Sequence, residues 1–213
     1  DMCCCGYYVT RGRNRSKHLS HRSFLPPPKS TVSLHSPDAS RLSHCTLLWT
    51  YRRSFLQRGV QWDERAPQAQ DLDFFWRCVC SHPPPRIHSV PRVLCIARDG
   101  HGERISDKAS TGSVRYKLAI ARRAFAKVAD RPELKGLRIK ALAELLRSAG
   151  KAYWVCPQVA KKAIEVAWQR SNVSFISGLN FKEALAWSLG GLEAYAAFRV
   201  FMSSVSRWGS KTR

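Results

Sequence analysis

Acidic residues are scarce in this chain: 15 Asp and Glu stand against 36 Lys and Arg, leaving a formal net charge of +21. Such a polypeptide repels itself and seeks polyanions, either nucleic acid or an anionic membrane surface. Charge alone does not choose between them. No long apolar run sits near the N-terminus, so no secretory signal is visible, and the disulfide scaffold of a small secreted domain is set aside. The eight cysteines, Cys3, Cys4, Cys5, Cys45, Cys78, Cys80, Cys95 and Cys156, are therefore expected as reduced thiols in an intracellular compartment.

Catalytic signatures are missing as well. There is no Gly-x-Ser-x-Gly, no phosphate-cradling glycine loop, no His-Glu-x-x-His and no pair of carboxylates in an apolar setting. All seven histidines lie at or before His101, which leaves the later half without an imidazole base. The chain is expected not to be an enzyme and to use no cofactor. One cluster has metal-ligand chemistry: Cys78, Cys80 and His82, with His88 and Cys95 nearby. Its spacing is not Cys-x-x-Cys, and Pro83-Pro84-Pro85 stiffens the chain between ligands, so unligated loop thiols are expected there. Cys3-Cys4-Cys5 is a cluster of the kind that can be acylated, without an accompanying myristoylation signal.

The first 62 residues hold only two acids, Asp1 and Asp38, against ten Lys and Arg. With their many serines this is the Arg-rich, acid-poor composition of an organellar transit segment. Pro26-Pro27-Pro28 interrupts the helix that such a segment needs. Residues 63–112 contain one apolar patch, Phe74-Phe75-Trp76, and one short apolar run from Val93 to Ala97. The whole of 1–112 is expected to be irregular, either targeting sequence or without a selected fold, with at most one short strand.

From Ser113 the pattern changes. Leu118, Ala121, Phe125 and Val128 recur at helical spacing, with Lys117, Arg122, Arg123 and Lys127 elsewhere on the cylinder. Asp130-Arg131-Pro132-Glu133 reads as a stop followed by a fresh start. Leu134, Leu137, Ala141, Leu142, Leu145 and Leu146 then mark a second helix, expected to end at Gly150. Pro157 opens a third, with Ala160, Ala163, Ile164 and Ala167 inward and Lys161, Lys162 and Glu165 outward. The amphipathic region spans 113–170.

Residues 180–207 are expected to form a long C-terminal helix. From Ala184 to Val205 there are 22 residues with one acid, Glu193, and one base, Arg199. At about 1.5 Å per residue the run reaches roughly 33 Å, enough to cross a hydrocarbon core of about 30 Å. Arg199 lies near enough to the end to snorkel, whereas Glu193 lies near the middle. Ala186, Gly190 and Ala194 form a stripe of small side chains that lets another helix approach. The fold class expected is all-α, with a single membrane-spanning helix at its end; a buried helix of a soluble bundle is the alternative.

Leu179-Asn180-Phe181-Lys182-Glu183-Ala184, then Gly191-Leu192-Glu193-Ala194-Tyr195, then Phe198, resembles the C-terminal membrane helix of the subunit g family of mitochondrial ATP synthase. The stretch from Pro157 through Lys162-Ala163-Ile164 is similar to the amphipathic helix before it. Where that family carries a late Gly-x-x-x-Gly, this chain has Phe201, Met202 and Val205. The resemblance implies a non-catalytic membrane-sector subunit that supports ATP synthase dimers and cristae shape in the mitochondrial inner membrane. Its partners would be other membrane-sector subunits and anionic lipid. The helix-packing and partner positions so implied are Ala186, Gly190, Gly191, Glu193, Ala194, Ala197 and Arg199.

A second function class is a basic organellar RNA-binding or ribosomal protein. Between Ser113 and Arg170 there are 14 Lys and Arg against 4 acids, with Tyr116, Tyr153, Trp154 and Trp168 available to stack on bases. Aromatics at such spacings ordinarily belong to a core.

Overall fold

The computed structural model describes residues 1–11, 19–24, 31–42, 48–66, 68–99, 111–170, 186–188 and 190–198. The chain divides into two compact units, Asp1–Lys108 with Glu133–Leu137, and Ala109–Pro132 with Arg138–Arg213.

The first unit overturns the all-α expectation, because it is built on a mixed sheet. β1 (Met2–Arg11) pairs in parallel with β5 (Ile87–Asp99), and antiparallel with both β2 (Leu19–Phe24) and β4 (Trp49–Tyr51). The short β3 (Thr31–Val32) adds antiparallel to the far side of β5, giving the order β2-β1-β5-β3. Tyr7, Tyr8, Val9 and Thr10 are the aromatic and β-branched types that suit a pleated surface. Along β1, Met2 and Cys4 are buried while Cys3, Cys5 and Tyr7 are half-exposed, the two-residue alternation of a strand with one covered face. In β5, Ile87 and Ser89 are buried and His88 between them is exposed.

Pro91 sits inside β5, where it has no N–H to give a ladder. The register absorbs it: Cys4 pairs with Ser89 and Gly6 with Val93, so Val90, Pro91 and Arg92 stand opposite Cys5 alone. The bulge places the proline where no ladder bond is required.

α1 (Arg53–Leu56) is a single turn that buries Phe55. α2 (Gln70–Val79) carries Asp71 and Asp73 in its first turn and Arg77 in its last, the charge order favoured by the helix dipole. Its side chains Leu72, Phe74, Phe75, Trp76, Cys78 and Val79 are buried. Trp49 and Tyr51 of β4 meet that face, with ring centroids 5.9 Å from Phe75 and 5.4 Å from Phe74 respectively. Thus Phe74-Phe75-Trp76 is the hydrophobic centre of this unit and not an isolated patch in a loop. Arg77 ties the helix down further, its guanidinium 2.6 Å from Asp73 and 3.0 Å from Asp63. A 3-10 turn at Pro37–Arg41 is capped by the Ser36 hydroxyl, which accepts from the Asp38 N–H at 3.0 Å. Gly136 lies directly against the Ser36 carbonyl oxygen, where a Cβ would have no room.

The second unit is helical, and its faces follow the spacing in the sequence. α3 (Thr111–Ala129) buries Leu118, Ala121, Phe125 and Val128, and exposes Arg122, Arg123 and Lys127. A 3-10 turn at Pro132–Leu134 precedes α4 (Lys135–Ala152), which begins in the first unit and continues through Gly150 instead of ending there. α4 buries Ala141, Leu142, Leu145, Leu146, Ala149 and Ala152. α5 (Pro157–Arg170) buries Ala160, Ala163, Ile164 and Ala167, and packs on α3. Residues 186–188 and 190–198 are also helical.

The spanning helix is the second correction. Among the described residues no helix is long and apolar enough to cross a membrane. Gly191 takes φ 59, a left-handed conformation that interrupts a straight right-handed path. Of the helix expected over 180–207, residues 180–185, Leu189 and 199–207 lie outside the described residues.

Candidate nucleic-acid interface

The turn joining α4 to α5 is held firmly by the chain itself. The N–H groups of Tyr153, Val155 and Cys156 bond to the carbonyls of Ala149 and Ala152 at 2.8–3.0 Å, satisfying acceptors that the end of α4 would leave open. Pro157 then starts α5 at a position that needs no N–H, and the buried Cys156 accepts from the Ala160 N–H at 3.1 Å.

This turn carries an aromatic pair to the surface. Trp154 is 57% exposed, although a ring of its size normally sits in a core. Tyr153 meets it edge to face, with centroids 5.4 Å apart and planes at 90°. Lys161 Nζ lies 5.8 Å from the Tyr153 ring centroid, within cation–π reach. Lys151 and Lys162 are exposed on the two helices flanking the turn, as are Val155 and Val159. The group combines an exposed π-face on a hydrogen-bonded turn, exposed lysines on the helices either side and a little apolar surface. That is the composition of a stacking platform for unpaired bases.

α3 carries a second basic surface. Arg115, Arg122, Arg123 and Lys127 are exposed, and the helix contains no Asp or Glu to offset them. Tyr116 is half-buried with the Arg123 guanidinium 5.9 Å from its ring centroid. Of the four aromatics suggested for stacking, Tyr153 and Trp154 come together; Tyr116 lies on α3, and Trp168 lies on α5. The exposed valines carried no signal in the sequence, since they occupy helix-compatible positions beside true core residues.

The positions implied by the membrane-helix resemblance fare differently. Ala186 is buried, Ala194 and Gly191 are half-buried, and Gly190, Glu193 and Ala197 are exposed. A Cβ on Gly190 would lie 2.8 Å from that of Ala194, so the two small residues are stacked closely on one face. Tyr195 is fully buried, with its ring 6.2 Å from that of Trp187. Arg199 lies outside the described residues.

The thiols and imidazoles suggested for zinc are not gathered. Cys78 is buried inside α2, where burial pushes its thiol up to about 12, while Cys80 follows the helix end and His82 is exposed. Among the described residues no three His, Cys, Asp or Glu side chains are placed to hold a metal ion. No protein-family model, no curated protein and no solved structure matches the chain.

Proposed function

We propose that this protein binds single-stranded nucleic acid, RNA or DNA, through its helical unit. Trp154 is the stacking platform in this reading, Tyr153 braces it, and Lys151, Lys161 and Lys162 hold adjacent phosphates. The observation that carries the reading is the exposed Trp154, mounted in a hydrogen-bonded turn and flanked by lysines. Phosphate neutralisation supplies most of the affinity and makes it salt-dependent, while base stacking adds a term that a featureless polyanion cannot offer.

The test exploits that difference. The full chain is titrated with labelled oligouridylate, oligodeoxythymidylate and heparin over a series of salt concentrations. Binding to the oligonucleotides is expected to weaken linearly in log–log salt plots, and W154A to lower their affinity by about 5- to 150-fold, from a stacking contribution of about 1–3 kcal/mol per base. Heparin, which has no bases, is expected to bind W154A and the wild type alike. Equal oligonucleotide affinity for the two proteins would sink the proposal.

The ATP synthase membrane-sector role is a separate proposal resting on the resemblance alone. Co-purification with the assembled enzyme would support it, and fractionation away from that complex would end it.

A further inference from the structure

The sheet brings together two thiols that are 90 positions apart in the chain. Cys5 Sγ and Cys95 Sγ are 3.6 Å from one another, on the adjacent parallel strands β1 and β5. Both are half-exposed, on the face of the sheet opposite the buried Met2 and Cys4. Two features of the backbone create the contact. The β5 bulge at Val90, Pro91 and Arg92 shifts the register past Cys5, and Gly6 is followed by a second irregularity before Tyr7. Unbroken register from Met2 and Ile87 would set Cys95 opposite Thr10; the shifts set it opposite Tyr7, two residues from Cys5. Leu94, 64% exposed, leaves this part of β5 uncovered.

We propose that Cys5 and Cys95 form a dithiol site whose reaction partner is a low-molecular-weight disulfide such as glutathione disulfide. One cysteine, as thiolate, attacks a sulfur of the external disulfide; that S–S bond breaks, a mixed disulfide forms, and one thiol leaves carrying a proton. The second cysteine then attacks the protein-bound sulfur of the mixed disulfide, forming the Cys5–Cys95 bond and releasing the second thiol. The two cysteines are oxidised by two electrons, the external disulfide is reduced by two, and the two cysteine protons end on the departing thiols. The two sulfurs are already in contact at 3.6 Å, so closing the bond to about 2.05 Å asks for an approach of the side chains along neighbouring strands. Burial and the neighbouring sulfur push the Cys5 thiol up to about 11, so its thiolate fraction and the rate of exchange rise as the solution is made alkaline.

Cys4 and Cys78 are buried, 3% and 0% exposed, so an external disulfide does not reach them. Cys3, on the same strand face as Cys5, is the natural competitor.

The chain is incubated with mixtures of reduced and oxidised glutathione, quenched with an alkylating agent, digested without reduction and mapped by mass spectrometry. The expected result is a cross-linked peptide joining Cys5 to Cys95, two hydrogens lighter than the reduced pair, rising as the mixture becomes more oxidising. In C5S and C95S the remaining cysteine is expected to hold glutathione as a persistent mixed disulfide, because no second thiol is there to expel it. A second readout requires no variant: in the wild-type chain, alkylation of Cys5 and Cys95 should fall together, with equal midpoints. Oxidation that links Cys5 to Cys3, or that leaves both Cys5 and Cys95 alkylatable at the most oxidising mixture, overturns the proposal.

Discussion

Lys140 Nζ lies 3.7 Å from Glu144 Oε1, one turn further along α4, and the two side chains are only 9% and 15% exposed. A buried ammonium is costly to hold, and burial lowers the Lys140 pKa from 10.5 while Glu144 pulls it back up and Arg147 adds a like charge. The pair therefore holds an expensive charge in place more than it adds stability.

Removing only the carboxylate should hurt. E144Q leaves Lys140 with Arg147 as its charged neighbour and is expected to destabilise the helical unit by about 3 kcal/mol. The double variant K140M/E144L, which removes both charges and keeps most of the volume, is expected to match or exceed the wild type. Urea unfolding followed by circular dichroism compares the three.

The sign of the pH dependence follows from the same lysine. Its folded pKa is below the unfolded value of 10.5, so between the two the unfolded chain binds more protons and stability rises with pH. The penalty is complete below the folded pKa and gone above 10.5. Other groups titrate in that window, Cys4 and Cys78 among them with the opposite sign, since their raised pKa values cost stability above the ordinary thiol range. The difference between wild type and K140M isolates the lysine: it should shrink as the solution is made alkaline, measured by urea midpoints across that range.

Lys161 and Trp154 are expected to separate in their effects on nucleic-acid binding. K161M should reduce the salt slope by about one and weaken all oligonucleotides alike, because it removes a phosphate contact. W154F should retain most of the affinity that W154A loses, because a ring remains to stack. Fluorescence anisotropy at several salt concentrations distinguishes charge from stacking.

Gly136 provides a steric prediction in the first unit. A Cβ there would meet the Ser36 carbonyl oxygen and lie 2.8 Å from Ala39 Cβ, and main-chain atoms cannot rotate aside. G136A is expected to cost about 1–3 kcal/mol, the usual penalty of overpacking, despite the higher helix propensity of alanine. Ser36 is already fixed by capping the turn that follows it, so little relaxation is available. Thermal unfolding of the variant is the measurement.

The helices were legible in the sequence because their signal is local. Leu118, Ala121, Phe125 and Val128 repeat every three or four residues, and each is buried. The sheet was not legible, for two physical reasons. β1 shows its alternation through cysteines and a glycine, which carry little hydrophobic contrast, and its surroundings have the composition of a transit segment. β5 contains a proline that argues against a central strand, and only the partner strand's register reveals how it is accommodated. The nearest warning was Phe74-Phe75-Trp76, since three large rings in sequence need a cover that an irregular segment cannot provide. Trp154 stands in the sequence both as a candidate for stacking and as an ordinary core aromatic, because spacing does not tell a helix interior from the turn just past its end. Glu193 and the small-residue stripe were visible as a pattern, but composition alone cannot distinguish a lipid-facing run from a packed one.

β1 stands between β5 on one side and β2 with β4 on the other, and β5 comes late in the unit. During synthesis the ribosome must deliver nearly the whole unit before β1 meets its parallel neighbour. Until then one row of its amide and carbonyl groups stays open to the strands of other nascent chains. Slow translation between Tyr51 and Ile87 would lengthen that exposure, making the yield of folded protein sensitive to elongation rate there.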